Sequence, residues 1–231
     1  MSATDLFVNF FVALFALIDP IGNVPVFAAA TAGALAAGRR MVALYICVFA
    51  FLFLLFFYFT GLTLLEFFGI SLPAFRIAGG VILFLLGLDM ARDDFTAKFA
   101  DAAEAGEVEG ARAYAKRRFE RLVVPFAMPL LIGPGAISTV VIYASEAKAI
   151  GWMGDAAGVA ALFAVSVVTM ICFWLTPVIS RILGRIGMTI IVRVLGLILC
   201  AMAVQFVIVG ISDTTRNLIT PAAAAPYAAE R

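Results

Sequence analysis

The sequence predicts an all-α, polytopic membrane protein with six transmembrane helices, arranged as two inverted three-helix repeats whose first helices are broken. Three observations support this fold class. The 231 residues are 65% hydrophobic with a mean hydropathy of +1.12, whereas a soluble domain is nearer half apolar. Several segments reach the roughly 20 apolar residues that a membrane span needs. Proline and glycine interrupt two of these segments, and the segments repeat in order.

Six hydrophobic segments follow one another, at about residues 6–30, 43–65, 73–91, 122–145, 157–179 and 190–211. The second segment is dense in phenylalanine and has no polar side chain suited to binding, so we expect it to face lipid. Residues 1–211 therefore form a single transmembrane domain. Between its two repeats, residues 93–121 hold many of the charges and predict a cytoplasmic loop, with a helical turn at YAKRRFER. The alanine- and proline-rich residues 212–231 predict a disordered tail.

An internal repeat relates about residues 5–92 to about residues 122–211. FRIAGGVILFLLG in the third segment and VRVLGLILCAMAV in the sixth align at an offset of 117, which pairs Arg76 with Arg193. Similar offsets pair the second segment with the fifth and the first with the fourth. Because three spans per repeat is an odd number, the second copy must enter the membrane with the opposite orientation. Many secondary transporters have such inverted repeats and bind substrate between them, near the bilayer midplane.

The two interruptions are ALIDPIGNVPVF, residues 16–27, and MPLLIGPGAIST, residues 128–139. Proline removes a backbone donor and glycine loosens a helix, so the freed groups need partners inside the protein or in a water-lined cavity. Paired interruptions at matching positions of two halves point to a transporter binding site. The candidate substrate-binding residues are Asp19, Pro20, Gly22, Asn23, Gly133, Pro134, Gly135, Ser138 and Thr139.

Asp19 lies well inside the first segment. An acidic side chain at the bilayer centre costs roughly 2.5–3.5 kcal/mol on insertion scales, so it normally faces a cavity and marks a substrate or ion path. The structural alternative is that Asp19 caps the half-helix that follows the break. Both roles can hold together.

Uncharged hydrogen-bonding groups accompany the breaks: Asn23 at the first, and Ser138 and Thr139 at the second. Half-helix N-termini carry partial positive charge and free N–H groups, so two of them meeting at the midplane would hold a carboxylate. Freed carbonyl groups around Asp19 would hold an ammonium group or a cation. A zwitterionic amino acid suits both.

The basic residues predict the orientation. In the six-span arrangement one side of the membrane receives 11 of them and the other receives 3, with Arg76 and Arg193 set aside at helix starts. Both termini then face the periplasm. If the first and fourth segments were re-entrant hairpins, four spans would remain and the split would be 12 to 2. Charge does not decide between the two arrangements, and segment length favours spanning. Arg76 and Arg193 would either anchor at headgroups or bind anionic substrate.

Composition argues against several other functions. The chain has no histidine, and Cys47, Cys172 and Cys200 have no CxxC spacing, so we expect no metal, no cofactor and no enzymatic activity. A net charge of +1 gives no electrostatic case for nucleic acid as a partner. Small residues on the third and sixth segments would let helices approach closely, within one chain or between the subunits of a homo-oligomer.

The DPIGNVPVF break, the PLLIGPGAIS break and the paired FRIAGG and VRVLG helices together resemble the MarC family of bacterial inner-membrane proteins. The resemblance covers about residues 5–211. It implies kinship with the LysE group of exporters, whose fold is built from three-helix repeats and some of whose relatives are credited with small neutral amino-acid transport. By resemblance, the functional positions are Asp19, Pro20, Gly22, Asn23, Pro25, Pro129, Gly133, Pro134 and Gly135.

The expected function is secondary transport of small polar molecules across the bacterial inner membrane. Small neutral amino acids are the first candidates, and export is a candidate direction. The expected partners are this small-molecule substrate and the lipid bilayer. Two alternatives remain open. One is a membrane protein that handles lipid or another metabolite. The other, less favoured because the breaks contain no cysteine, is a thiol-relay membrane enzyme.

Overall fold

A computed structural model describes residues 2–92, 112, 114–116, 119 and 131–215. The regular elements of these residues are helices, which confirms the all-α prediction. They are α1 (Ala3–Ile18), α2 (Val24–Ala30), α3 (Ala36–Phe67), α4 (Leu72–Arg92), α5 (Pro134–Ile150), α6 (Trp152–Trp174) and α7 (Thr176–Thr215), which has a kink at Gly184, where φ is 62°. Among the described residues, four stretches are long and apolar enough to cross a membrane: α3, α4, α6 and the Ile186–Thr215 part of α7. The six-span arrangement stays a prediction.

Local sequence sets the ends of the broken first segment. Ser2 and Asp5 form a capping box at the start of α1, in which each side chain bonds the other's backbone N–H. α1 ends where Asp19 adopts a left-handed conformation, with φ 43°. The residue before a proline is disfavoured in the right-handed helical region, so Pro20 promotes this exit. After a short turn the chain resumes as α2, with Pro25 tolerated in its first turn.

Helices α3 and α6 pack side by side in opposite directions. Near one end, the hydroxyl of Tyr58 lies against the backbone of Gly158, where a Cβ would collide with it. Near the other end, Trp174 Nε1 donates a hydrogen bond to the carbonyl of Arg40, at 3.3 Å. The two helices therefore lie alongside each other over most of their length.

The broken first segment, α1 followed by α2, runs alongside the α3–α6 pair. On α1, Phe10 stacks on Tyr58, with ring centroids 6.2 Å apart. On α2, Phe27 stacks on Phe173, with ring centroids 4.3 Å apart. Since Phe173 neighbours Trp174, α1 and α2 together run from one end of the α3–α6 pair to the other.

A seam of small residues joins α4 to α7, which are also antiparallel. A Cβ on Gly87 would lie 2.7 Å from the carbonyl oxygen of Gly196, and one on Gly80 would lie 2.8 Å from that of Ala203. The backbones can approach this closely only because side chains are missing. The small residues predicted from the sequence therefore pack within the chain.

The expectation that the second segment simply faces lipid is wrong. α3 buries one face, including Ile46 and Leu54, against the rest of the bundle, while Leu52 and Phe56 on the other face are exposed. Apolar side chains suit lipid and protein interior equally, so composition alone does not separate the two faces. The fifth segment also begins earlier than predicted, at Trp152, and ends at Trp174.

Candidate functional site

Side chains within the first break bond its own backbone. Asp19 Oδ1 accepts a hydrogen bond from the N–H of Gly22 at 3.1 Å. Asn23, only 5% exposed, donates from Nδ2 to the carbonyl of Ile18 at 2.6 Å. The groups freed by the break are thereby partnered locally. Asp19 is the C-cap residue of α1 and bonds within the turn, whereas the N-cap residue of α2 is Asn23, which makes no side-chain cap hydrogen bond, so the predicted capping of the following half-helix is not found. The half-buried carboxylate keeps a second oxygen, Oδ2, beside Gly22.

Gly22 has no room for a side chain. A Cβ there would collide with Asp19 Oδ2 and with the side chain of Leu195 on α7. Pro20 and Pro25 are buried in the same region. The first break is therefore a closely packed turn whose carboxylate lies at the level of Leu195.

The second break begins α5 without a side-chain cap. Gly133 is the N-cap residue, in an extended conformation, and Pro134 is the first residue of the helix. Ser138 and Thr139 lie one turn further along and are buried, at 0% and 7% exposure. Among the described residues, Ser138 Oγ has no hydrogen-bond partner. Pro129 lies outside the described residues.

A small cavity brings residues of both interruptions together. Its volume is about 10 Å³, room for about one water molecule, and it is lined by Ile18, Cys47, Ala50, Leu131, Ser166 and Thr169. Ile18 is the last residue of α1 and lies within the first interruption, and Leu131 lies within the second, two residues before Gly133. The other four lining residues come from the middles of α3 and α6, which the repeat pairs.

None of the nine predicted site residues lines this cavity, and none of the six residues that do was predicted to belong to the site. Ser166 and Thr169 are polar, three residues apart in an apolar segment, and this spacing was the available signal. Both hydroxyl groups donate to the carbonyl one turn back, Ser166 to Leu162 and Thr169 to Val165. Cys47 had been interpreted only as a small buried residue, and it is buried.

The two half-helix N-termini do not meet. Gly22, next to the start of α2, packs on Leu195, whereas Gly135, at the start of α5, packs on Phe206, with a Cβ 2.9 Å from its ring. These contacts are eleven residues apart on α7, or about 16 Å of helix. The expected arrangement, with both N-termini on one carboxylate, is therefore not found. Instead, Ile18 and Leu131, which precede the starts of α2 and α5 in sequence, both line the cavity.

Within the described residues, four long apolar helices and two interrupted segments that meet at a small cavity define a polytopic integral membrane protein. The chain belongs to the MarC family of integral membrane proteins, whose family model matches residues 4–215.

Among curated relatives, it is 38% identical to a UPF0056 membrane protein of Methanocaldococcus jannaschii, over 89% of this chain and 95% of that one. It is 35% identical to a UPF0056 membrane protein of Aquifex aeolicus, over 92% and 95%. It is 31% identical to the UPF0056 membrane protein YhcE of Escherichia coli, over 93% and 95%. No solved structure matches the chain.

Proposed function

We propose that this protein is a secondary transporter that moves small polar molecules across the bacterial inner membrane. Small neutral amino acids are the first candidates, and export is a candidate direction. One observation carries the proposal: residues of both interruptions, Ile18 and Leu131, line one cavity together with the middles of α3 and α6. Interrupted helices around a central cavity are the arrangement in which transporters bind substrate.

The path of the first segment supports six spans over four. α1 and α2 run alongside α3 from the level of Tyr58 to that of Arg40. These two residues are eighteen positions apart, which is about 27 Å of helix. That length is close to the roughly 30 Å hydrocarbon core of a bilayer. A re-entrant hairpin would return to the end where it started, whereas this segment continues to the far end.

Two further features agree with this membrane placement. Trp152 and Trp174 bound the 23 residues of α6, about 33 Å apart, and both are exposed, as expected of residues at the two interfaces. Helices that correspond in the proposed repeat, α3 with α6 and α4 with α7, run antiparallel. Antiparallel packing of corresponding helices supports an inverted repeat.

The alternatives receive less support. The six residues that line the cavity include no basic side chain, which does not favour a phospholipid headgroup. Cys47 is the one cysteine among the six lining residues; Cys172 on α6 lies near enough to interact with it electrostatically but does not line the cavity, and a thiol relay needs two thiols that exchange at the site. We therefore favour a transporter over lipid handling and over a thiol relay.

Proteoliposomes that contain the full chain provide the test. Counterflow of radiolabelled amino acids is measured across a panel of neutral, acidic and basic compounds. We expect exchange of at least one small neutral amino acid, with empty vesicles as the control. A second set of vesicles carries fluorescent phospholipid to detect lipid movement. Lipid movement without exchange of any compound in the panel would replace the transporter proposal with lipid handling.

A further inference from the structure

We propose that the structure is an occluded state, in which α2 is a gate that closes the cavity toward one end of the bundle. That end, here called the Arg40 end, is where Trp174 bonds the carbonyl of Arg40. Opening separates Phe27 on α2 from Phe173 on α6. The gate rests on the proposed function for its purpose, but access to the cavity is measured without transport, so the two can fail separately.

The size of the cavity requires such an opening. With a volume of about 10 Å³ it holds about one water molecule, whereas an amino acid is several times larger. To admit a substrate, the lining must move apart and a path must form between the cavity and one side of the membrane. The closed structure shows what blocks that path.

A layer of stacked aromatic rings lies on each side of the cavity. Toward the Arg40 end, Phe27 and Phe173 stack with their centroids 4.3 Å apart and their planes 3° apart, and both side chains are fully buried. Toward the opposite end, here called the Tyr58 end, Phe10 stacks on Tyr58 with centroids 6.2 Å apart. The cavity is therefore enclosed between two apolar layers.

The layer at the Arg40 end is the closer of the two. On α6, the lining residue Thr169 lies four positions before Phe173, which is about 6 Å of helix, and Ser166 lies eight positions after Gly158, which is about 12 Å. Gly158 is the residue that lies against the Tyr58 hydroxyl. About one helical turn therefore separates the cavity from the nearer layer, and about two turns separate it from the other.

The nearer layer is carried by a short segment with a bend at each end. α2 has seven residues; Asp19 before it is left-handed with φ 43°, and Gly33 after it has φ 77°. Moving segments bend at a few loop or element-terminal residues such as these. By contrast, Phe10 and Tyr58 lie inside α1 and α3, which have 16 and 32 residues, so their layer separates only if a long helix moves.

Contacts at the start of α2 indicate which of its ends moves. Asn23 Nδ2 bonds the carbonyl of Ile18 at 2.6 Å, and Gly22 packs closely on Leu195. Both contacts hold the start of α2 in place, whereas the turn that follows α2 is largely exposed. We therefore expect α2 to pivot about its start, which moves Phe27 away from α6.

Cys47 reports on access to the cavity, because it lines the cavity and is only 4% exposed. In a background of Cys172→Ala and Cys200→Ala it is the remaining cysteine. Its rate of modification by a charged, membrane-impermeant methanethiosulfonate is measured by mass spectrometry in sealed vesicles of both orientations. In chains without the native cysteines, Leu35→Cys and Phe67→Cys, exposed at the two ends of α3, show which orientation presents which end.

Phe27→Ala should raise the rate from the Arg40 end by about tenfold, the upper range of what a stacked aromatic pair contributes, and leave the rate from the Tyr58 end unchanged. Phe27→Leu keeps an apolar side chain but removes the ring. It should raise the rate in the same direction, and it decides the question if the alanine variant does not fold. Phe10→Ala is the matched control: Phe10 is equally buried and also stacked, and its loss should not raise the rate from the Arg40 end.

Three results would overturn the gate: unchanged rates in both Phe27 variants, an equal rise from both ends, or an equal rise from the Arg40 end in Phe10→Ala. The proteoliposome assay separates the gate from the transport proposal. A rate that depends on Phe27, without exchange of any compound, would leave the gate standing and reject the transporter. Exchange together with Cys47 modification that does not depend on Phe27 would reject the gate and leave the transporter standing.

Discussion

Arg76 on α4 and Asp213 on α7 form an ion pair, with Nη1 and Oδ2 2.7 Å apart across 137 residues of sequence. Their side chains are 14% and 30% exposed, so solvent screens the pair only in part. Arg76 had been expected to anchor at headgroups or to bind anionic substrate, and the structure assigns its Nη1 to Asp213. Arg193, its counterpart in the repeat, is exposed.

A double-mutant cycle on this pair should show coupling. Arg76→Ala and Asp213→Ala together should destabilise the protein by less than the sum of the single changes, with a coupling energy of about 1 kcal/mol. Melting in detergent at low and high salt provides the measurement, and Arg193→Ala is the control. Strict additivity of the two changes would mean that the pair contributes nothing to stability.

Gly196 should not tolerate alanine. A Cβ there would lie 2.6 Å from both the backbone nitrogen of Ala91 and the carbonyl oxygen of Gly87, and backbone atoms cannot move aside easily. We expect Gly196→Ala to cost about 1–3 kcal/mol through overpacking.

Gly187→Ala is the matched control on the same helix, because its nearest neighbour is Leu183 Cβ at 3.2 Å. Alanine is the better helix former, so this change should be close to neutral. Melting temperatures of the two variants in one detergent are compared. Equal effects would show that the seam between α4 and α7 is looser than its geometry indicates.

Asp19→Asn tests whether the charge at the first break couples transport. The asparagine Oδ1 can still accept from the N–H of Gly22, so folding should be preserved. We expect the variant to exchange substrate at equal pH but to lose accumulation driven by a pH gradient, because a neutral amide carries no proton.

Both transport modes are measured in proteoliposomes alongside the detergent melting temperature. Wild-type behaviour in both would limit Asp19 to its structural role in the turn. Loss of exchange itself would instead indicate a direct contact between Asp19 and the substrate.

Topology can be read with reporter fusions. The basic-residue distribution and the path of the first segment lead us to expect both termini in the periplasm and the 93–121 loop in the cytoplasm. Alkaline phosphatase and fluorescent-protein fusions after Ala105 and after Arg231 should give opposite signals. Matching signals from the two positions would support four spans with re-entrant first and fourth segments.

The sequence by itself determined the membrane class, the helical fold and the two interrupted segments. These depend on local physics: apolar length for a span, and proline and glycine chemistry for a break. The family also followed from local motifs, DPIGNVPVF and PLLIGPGAIS, and its model matches residues 4–215.

Only the tertiary structure decided which groups meet. Leu195 and Phe206, two apolar residues on one helix, show that the starts of α2 and α5 are apart, and no local pattern measures that distance. Nor could the sequence tell that Ser138 is left without a partner while Ser166 bonds to its own helix. Hydrogen bonding and burial of a side chain depend on the neighbours that packing brings from other segments. In an apolar chain the sequence does not identify the buried faces, because apolar side chains suit both lipid and the protein interior.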